Sequence, residues 1–278
     1  MTELIHQRRG KDRRRISVAC GLLISIFSSL APRRGCAEPT PQAVAAFNSY
    51  VAAVEARLLQ QHRSPTAFLA GPVSTAQNQR LRSGELIIER VTPSIAGEFP
   101  GALLHHWRGT AFAPGATAAG FAQMLRDFNA YPQRFSPQVL QAKALAQPNG
   151  HLLASMRVRQ KHVLTVVMDS TYDIAFGQFN AHEGYSSSRS TAIYEIDAPG
   201  TSHEHALNPA EEHGFLWRLN TYWSYEERDG GLYLQVEAVS LTRSIPRGLG
   251  WAIGPFVESV PRESLEFTLR SACNALRK

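Results

Sequence analysis

Residues Phe215–Thr242 read FLWRLNTYWSYEERDGGLYLQVEAVSLT, and two long alternating runs meet within them at the dipeptide Asp229-Gly230. Asp-Gly between alternating apolar runs is typical of a β-hairpin with a type I′ turn, which needs positive φ at both central residues. With these two residues as the loop, Arg228 faces Gly231 and every pair along the ladder follows. The segment therefore predicts a long antiparallel hairpin in a defined register.

One face of this hairpin combines bulky with small side chains. The register pairs Trp217, Leu219, Thr221 and Trp223 with Thr242, Ser240, Ala238 and Val236, respectively. Because several of these side chains are short, the face either packs closely against a helix or leaves a cavity for an apolar ligand. The opposite face is expected to be wetter, and its polar residues are Arg218, Asn220, Tyr222, Glu226, Gln235, Glu237 and Arg243.

The chain ends in an amphipathic helix. Pro261, with Glu263 and Glu266 close behind it, is typical of a helix start. Apolar residues then recur at near-helical spacing, namely Leu265, Leu269, Ala272 and Leu276. A last helix that follows a long antiparallel sheet is expected to pack across the apolar face of that sheet.

The basic character of the chain is confined to its first 37 residues. The whole sequence has 29 Lys and Arg against 23 Asp and Glu, and residues 1–37 contain eight of the former and two of the latter. The remainder therefore has 21 basic and 21 acidic residues and no net charge. This balance gives no electrostatic reason to expect nucleic acid binding.

Residues 1–37 have the pattern of a secretory signal peptide. Basic residues precede the apolar run Ile16–Ala31, and Gly35-Cys36-Ala37 would suit cleavage after Ala37. Arg33 and Arg34 are atypical at this position, so an uncleaved N-terminal membrane anchor is the alternative. We expect an exported protein, in the periplasm or outside the cell.

The elements between leader and hairpin indicate an α+β chain. Pro41–His62 has helical apolar spacing, and Arg63–Ser83 has the composition of a connector. Two strands, a helix from Thr117 to about Asn129 and several antiparallel strands follow. The segment 161–179 is too long for one regular strand and is expected to curve or to carry a bulge. Alternating βα units are lacking, which argues against a parallel-sheet nucleotide fold.

This order, with HWRGTAFAPGATAAGFAQMLRDFNAYPQRFSP near its start and DGGLYLQVEAVSLTRSIP and VPRESLEFTL near its end, resembles the START-like (SRPBCC) superfamily of helix-grip proteins, including the polyketide cyclases. The resemblance covers residues 84–278, after a signal peptide (1–37) and an N-terminal helix with its connector (38–83). It implies a curved antiparallel sheet wrapped around a long C-terminal helix, with Gly248–Phe256 as a gate. The ligand-binding residues it implies are Tyr172, Phe176, Trp217, Leu219, Thr221, Trp223, Ala238, Ser240, Trp251, Leu265 and Leu269.

Other constellations are expected to be structural. His203, His205 and His213 lie among glutamates, but in a polar loop without fixed spacing, so we expect a solvated loop and no metal site. Ser186, Ser187, Ser188 and Ser190 have no nucleophile elbow around them, and His105, His106 and His182 are expected at surface or strand positions. No catalytic residue and no cofactor is assigned.

Three functions remain open on the sequence. The first is a carrier or sensor that binds a lipid or other hydrophobic small molecule, a role compatible with transient membrane contact. The second is a cyclase- or hydrolase-type enzyme acting in the same cavity. Its acid or base would be Tyr172 or the group Arg218, Asn220, Tyr222 and Glu237, the group being brought inward by a register shift. The third is an envelope interaction module whose N-terminal helix docks a partner. The oligomeric state does not follow from the sequence.

Overall fold

The chain forms an antiparallel sheet with helices on both faces. The computed structural model describes residues 38–64, 68–70, 74–92, 99–161, 165–245 and 250–277, with the side chains of all of these except 250–258. The helices are α1 (Pro41–His62), α2 (Thr75–Arg82), α3 (Ala118–Arg126), α4 (Tyr131–Arg134) and α5 (Gly250–Leu276), with short 3-10 turns at Phe128–Ala130 and Pro148–Gly150. The strands are β1 (Ile87–Arg90), β2 (Ala102–Pro114), β3 (Val139–Ala146), β4 (Leu152–Lys161), β5 (Thr165–Gln178), β6 (Glu183–Asp197), β7 (His205–Ala206), β8 (Arg218–Arg228) and β9 (Gly231–Arg243).

The strand order in the described part of the chain is β1-β2-β9-β8-β6-β5-β4-β3, with β7 paired to β6, and every pair is antiparallel. The C-terminal helix α5 packs against β2 and β9, near the β1 end of this order. A large antiparallel sheet gripping a C-terminal helix confirms the predicted α+β, helix-grip class.

The predicted hairpin is confirmed. Asp229 and Gly230 have φ of +58° and +74°, as a type I′ turn requires, and Arg228 pairs with Gly231. The pairs Trp223 with Val236, Thr221 with Ala238 and Leu219 with Ser240 are also those that the sequence predicts.

Trp217 does not share that face, so its predicted pairing with Thr242 is wrong. Its backbone N–H donates to Leu241 O at 2.8 Å, yet Leu241 is also the register partner of Arg218. Two residues thus oppose one, and such a bulge breaks the alternation of side chains. The Trp217 side chain consequently lies in the apolar cluster beneath α1, on the opposite face of the sheet.

Helix α5 crosses one face of the sheet, which we call the inner face. Leu265, Leu269 and Ala272 are buried there, which confirms the predicted apolar stripe. A Cβ at Gly109 would lie 2.5 Å from Leu269 Cδ1 and 3.1 Å from Leu265 Cδ2, so this glycine in β2 lets the helix approach closely.

The start of α5 differs from the prediction, because the helix begins at Gly250 and Pro261 lies inside it. An interior proline costs one backbone hydrogen bond, a loss that packing of the flanking turns can offset. Gly250–Phe256, predicted as part of a gate loop, is therefore helical in its backbone. Gly248 and Leu249 lie outside the described residues.

Helix α1 covers the other face of the sheet, which we call the outer face. It spans the predicted Pro41–His62, and the Thr40 hydroxyl accepts a hydrogen bond from Ala43 N–H at 3.1 Å as its N-cap. Its buried stripe is Ala43, Phe47, Tyr50, Val51, Val54, Leu58 and His62. Because this stripe packs on Trp217, Tyr222, Val239 and Leu241, the prediction of a wet outer face is wrong.

Two further elements refine the prediction. The presumed connector contains α2, which a capping box between Ser74 and Gln77 starts in spite of its polar composition. The expected bulge lies opposite β5 rather than within it, because Thr171 pairs with Ala192 and Tyr172 with Ser190, which leaves Thr191 of β6 unpaired in the ladder.

The predicted signal peptide, residues 1–37, lies outside the described residues. Among the residues that are described, no helix is long and apolar enough to cross a membrane.

Candidate functional site

The inner face is built of rows of side chains that run across the strands. The first row contains Gly109, Val236, Trp223, Ser186 and Phe176. The second row contains Trp107, Ala238, Thr221, Ser188 and Ile174. The third row contains His105, Ser240, Leu219, Ser190 and Tyr172, with Leu219 N–H donating to Ser190 Oγ at 2.9 Å.

Packing is tight at the first row and loosens beyond it. Leu265 and Leu269 of α5 fill the space over Gly109, and Val236 is fully buried. Ala238, Thr221 and Leu219, in the next two rows, keep part of their surface accessible although they lie on central strands. The second and third rows lie toward the N-terminal half of α5, since Cys273 and Asn274 from its other end lie beside Leu86 and Phe112.

Most of the predicted ligand-binding residues share this surface. Leu219, Thr221, Trp223, Ala238 and Ser240 lie together on β8 and β9, Tyr172 and Phe176 lie on the same face of β5, and Leu265 and Leu269 face the sheet from α5. Trp217 is the exception, because its bulge places it on the outer face. The side chain of Trp251 lies outside the described residues.

Two inner-face residues were not predicted, His105 and Trp107 of β2. His105 lies on a strand, one of the two positions expected for it, where it is buried with its Nε2 3.1 Å from Thr242 Oγ1. Trp107 packs against the α5 cluster. Their place in the site could not be predicted from the sequence, because it depends on the pairing of β2 with β9, which lie more than a hundred residues apart.

One buried carboxylate, that of Glu195, lies at an end of the inner face, and its charge is compensated by hydrogen bonds. Glu195 is buried and accepts hydrogen bonds from the backbone N–H groups of Gly214 and Phe215 and from His213. Burial alone would raise the Glu195 pKa, but these bonds hold it below its usual value. The carboxylate thereby fixes the loop that closes this end of the sheet.

The polar residues of the outer face form a buried network under α1. Glu237 is 1% exposed and accepts hydrogen bonds from His106 Nε2 at 2.8 Å, from Arg108 Nε at 3.1 Å and from Arg57 of α1. His106 Nδ1 lies 2.7 Å from the Tyr50 hydroxyl. Burial would raise the Glu237 pKa, but the His106 bond and the two arginines lower it to about 2.

A second part of this network joins α1 to β6 and β8. Glu55 of α1 binds Arg189 at 2.7 Å and accepts a hydrogen bond from the Tyr222 hydroxyl at 2.9 Å, which in turn accepts one from Asn220. Asn220, Tyr222 and Glu237 therefore face α1 in the unshifted register, and Arg218 donates to its neighbour's carbonyl. The register shift that would bring these four residues into the cavity as acid or base does not occur.

His62, at the end of α1, is enclosed by aromatic rings. It stacks between Phe68 at 4.8 Å and Tyr185 at 5.0 Å between ring centroids, and its Nε2 lies 2.7 Å from Ser224 Oγ. Burial, with a smaller effect of the Arg57 charge, lowers the His62 pKa to about 4. This histidine is therefore neutral at pH 7.

The histidine-rich loop is held by ordinary pairs. His213 binds Glu195 at 2.8 Å, Glu204 binds Arg157 at 2.6 Å, and Glu211 binds Asn208 at 2.9 Å. Within the described residues no three His, Cys, Asp or Glu side chains are placed to share a metal ion. A cavity of about 190 Å³ lies elsewhere, at the C-terminal end of α5, between Leu86, Phe112, Cys273 and Arg277.

Comparisons with solved structures return chains of low sequence identity and partial structural likeness. A STAR-related lipid transfer protein fragment from Xanthomonas axonopodis is 16% identical with a TM-score of 0.44, over 69% of this chain and 99% of that one. The Zhui aromatase/cyclase from Streptomyces sp. R1128 is 14% identical with a TM-score of 0.43, over 63% and 94%. Human STARD10 is 11% identical with a TM-score of 0.41, over 73% and 81%.

No family model matches the sequence, and no curated protein matches it. The helix-grip assignment rests on the sheet and the helix of the chain itself.

Proposed function

We propose that this chain is an exported protein that binds a lipid or other hydrophobic small molecule between the inner face and α5, as a carrier or sensor. The observation that carries the proposal is the contrast between adjacent rows of one β-hairpin. Val236 is fully buried under α5, whereas Ala238 and Thr221, one row further, are too small to fill the space before them and stay partly accessible.

The side chains of this surface suit an apolar ligand. Its aromatic and aliphatic members are Trp107, Leu219, Trp223, Tyr172 and Phe176, and its polar members are hydroxyls of serine and threonine. Burial of ~200 Å² of apolar ligand surface at ~25 cal/mol/Å² would contribute about 5 kcal/mol before the costs of association. Binding of this kind needs no catalytic group.

The test places a bulky side chain in the second row and measures ligand uptake. Residues 38–278 are purified under mild conditions, and native mass spectrometry with solvent extraction identifies a co-purified apolar adduct. Ala238→Phe should abolish the adduct because the new ring occupies the second row. Thr191→Phe is the matched control, since it adds the same ring at an exposed position of β6, outside the ladder pairs. An unchanged adduct in Ala238→Phe would refute the location of the site.

Export is the second part of the proposal, and residues 1–37 support it by their basic start and apolar run. The mass of the protein recovered from the cell envelope or medium tests it. A chain starting at Glu38 would confirm cleavage after Ala37. A full-length chain in the cytoplasm would contradict export.

A further inference from the structure

Trp107 carries a buried polar atom without a partner. Its indole Nε1 is buried, and it has no hydrogen-bond partner among the described residues. The side chain lies in the second row, beside Ala238 and against the α5 cluster. Buried donors are almost always paired, because an unpaired one loses its bond to water and gains nothing in exchange.

The chemistry of this atom restricts what can satisfy it. An indole N–H is a donor only, so its partner must be an acceptor such as a carbonyl, hydroxyl or ether oxygen. Ala238 opposite Trp107, and Thr221 beyond it, are short side chains that stay partly accessible. The donor thus lies in the same row as the small residues on which the proposed site rests.

Cationic side chains are placed away from this row. On the strands around it, Arg108, Arg189 and Arg218 occupy outer-face positions. Arg90, at the edge of the second row, is exposed and has an interaction of its own, and the exposed Arg126 stacks on Phe176 in the first row. Inside the sheet, the described residues of the second and third rows carry no Lys or Arg. A carboxylate or phosphate would be desolvated there with no lysine or arginine to pair with it.

We propose that Trp107 is the polar anchor of the site, and that its indole N–H donates a hydrogen bond to an oxygen of a neutral, mainly apolar ligand. This inference rests on the proposed function and narrows its ligand class. Long-chain ketones, alcohols and quinone- or sterol-like molecules fit, whereas fatty acids and phospholipids do not.

The experiment measures displacement of the hydrocarbon fluorophore diphenylhexatriene from residues 38–278 by three twelve-carbon probes: 2-dodecanone, dodecane and dodecanoate. Trp107→Phe should lower the affinity for 2-dodecanone by roughly tenfold, which is the effect of one lost hydrogen bond to a buried group. The affinity for dodecane should stay unchanged. Trp217→Phe is the matched control, since it removes an indole from the outer face, under α1, and should spare both probes. Dodecanoate at pH 8 should compete more weakly than the ketone.

Each part can fail separately. Equal losses for 2-dodecanone and dodecane in Trp107→Phe would overturn the anchor while leaving apolar binding intact. Dodecanoate competing as well as the ketone would overturn the restriction to neutral ligands. Absence of diphenylhexatriene and dodecane binding in the wild type would overturn the proposed function itself.

A measurement on the wild-type protein tests the same hydrogen bond, and its result does not depend on whether a variant folds. In a spectrum of ¹⁵N-labelled tryptophan side chains, 2-dodecanone should move the Trp107 indole signal downfield, and dodecane should not. The signal is assigned by elimination, with Trp217→Phe, Trp223→Phe and Trp251→Phe each removing one of the others. An unmoved Trp107 signal at saturating ketone would refute the hydrogen bond.

Discussion

Glu237 and its two neighbours in β9 show how one strand contributes side chains to both faces of the sheet. Its neighbours Val236 and Ala238 face α5, whereas its own carboxylate faces α1 and holds Arg57, Arg108 and His106. Because side chains alternate along a strand, the network and the candidate cavity are one residue apart yet separated by the sheet. A change at Glu237 should therefore alter stability and leave the inner face in place.

We expect Glu237→Gln to lower the free energy of unfolding by about 3 kcal/mol, because it removes a buried carboxylate that pairs with His106 and with the partly buried guanidinium groups of Arg57 and Arg108. Urea denaturation of residues 38–278 measures this value. Glu89→Gln removes the exposed partner of Arg108, 3.3 Å away, and should change stability little. Similar effects of the two substitutions would show that the buried network is not what holds α1.

Residue positions were predictable from the sequence where local alternation decides them. The pairs of Leu219, Thr221 and Trp223 follow from the turn at Asp229-Gly230. Trp217 did not follow, because a bulge is set by the loop that enters the strand. His105, Trp107 and Glu237 could not be assigned to their surfaces, since their surroundings depend on the pairing of β2 with β9 and on the docking of α1.

Helix α1 is the element that completes the outer face. Its apolar stripe lies on the sheet, so the stripe is not available for the partner that the interaction-module hypothesis requires. The helix was predictable from its spacing and its N-terminal Pro41, but its place was not. Periodicity shows that a helix has an apolar side and does not show which surface covers it.

Phe47→Ala should destabilise the protein by about 3 kcal/mol, because it leaves a cavity between α1 and the sheet where Phe47 is now buried. Leu59→Ala is the matched control on the same helix, since Leu59 is 48% exposed and its loss should matter little. Thermal or urea unfolding measures both. Equal effects would mean that α1 does not pack through its predicted stripe in solution.

At the scale of the whole molecule, two buried groups make stability depend on pH in the same direction. The His62 pKa falls from 6.5 to about 4 on folding, so the unfolded chain takes up this proton first as the pH falls. Glu237, with a pKa of about 2 against 4.5, stabilises the fold above pH 4.5 and loses this effect as the pH falls toward 2. Acid should therefore unfold the protein in two successive ranges.

We expect the free energy of unfolding to decrease by about 3 kcal/mol between pH 6.5 and pH 4 through His62 alone. His62→Gln, which can keep a hydrogen bond to Ser224, should flatten the pH profile in this range. Replacing the exposed His203 by glutamine should leave it as in the wild type. Urea midpoints at half-unit pH steps measure the profile, and an unchanged slope in His62→Gln would assign the acid sensitivity to other groups.

The contact between Arg57 and Glu237 joins residues 180 positions apart, so it also affects the order in which the protein folds. During synthesis α1 emerges early, while the hairpin of β8 and β9 that receives it emerges nearly last. The apolar stripe of α1 must stay uncovered until then, and closing so long a loop makes this docking a late and slow event. Of the described helices, the one made first therefore waits longest for the strands that cover it.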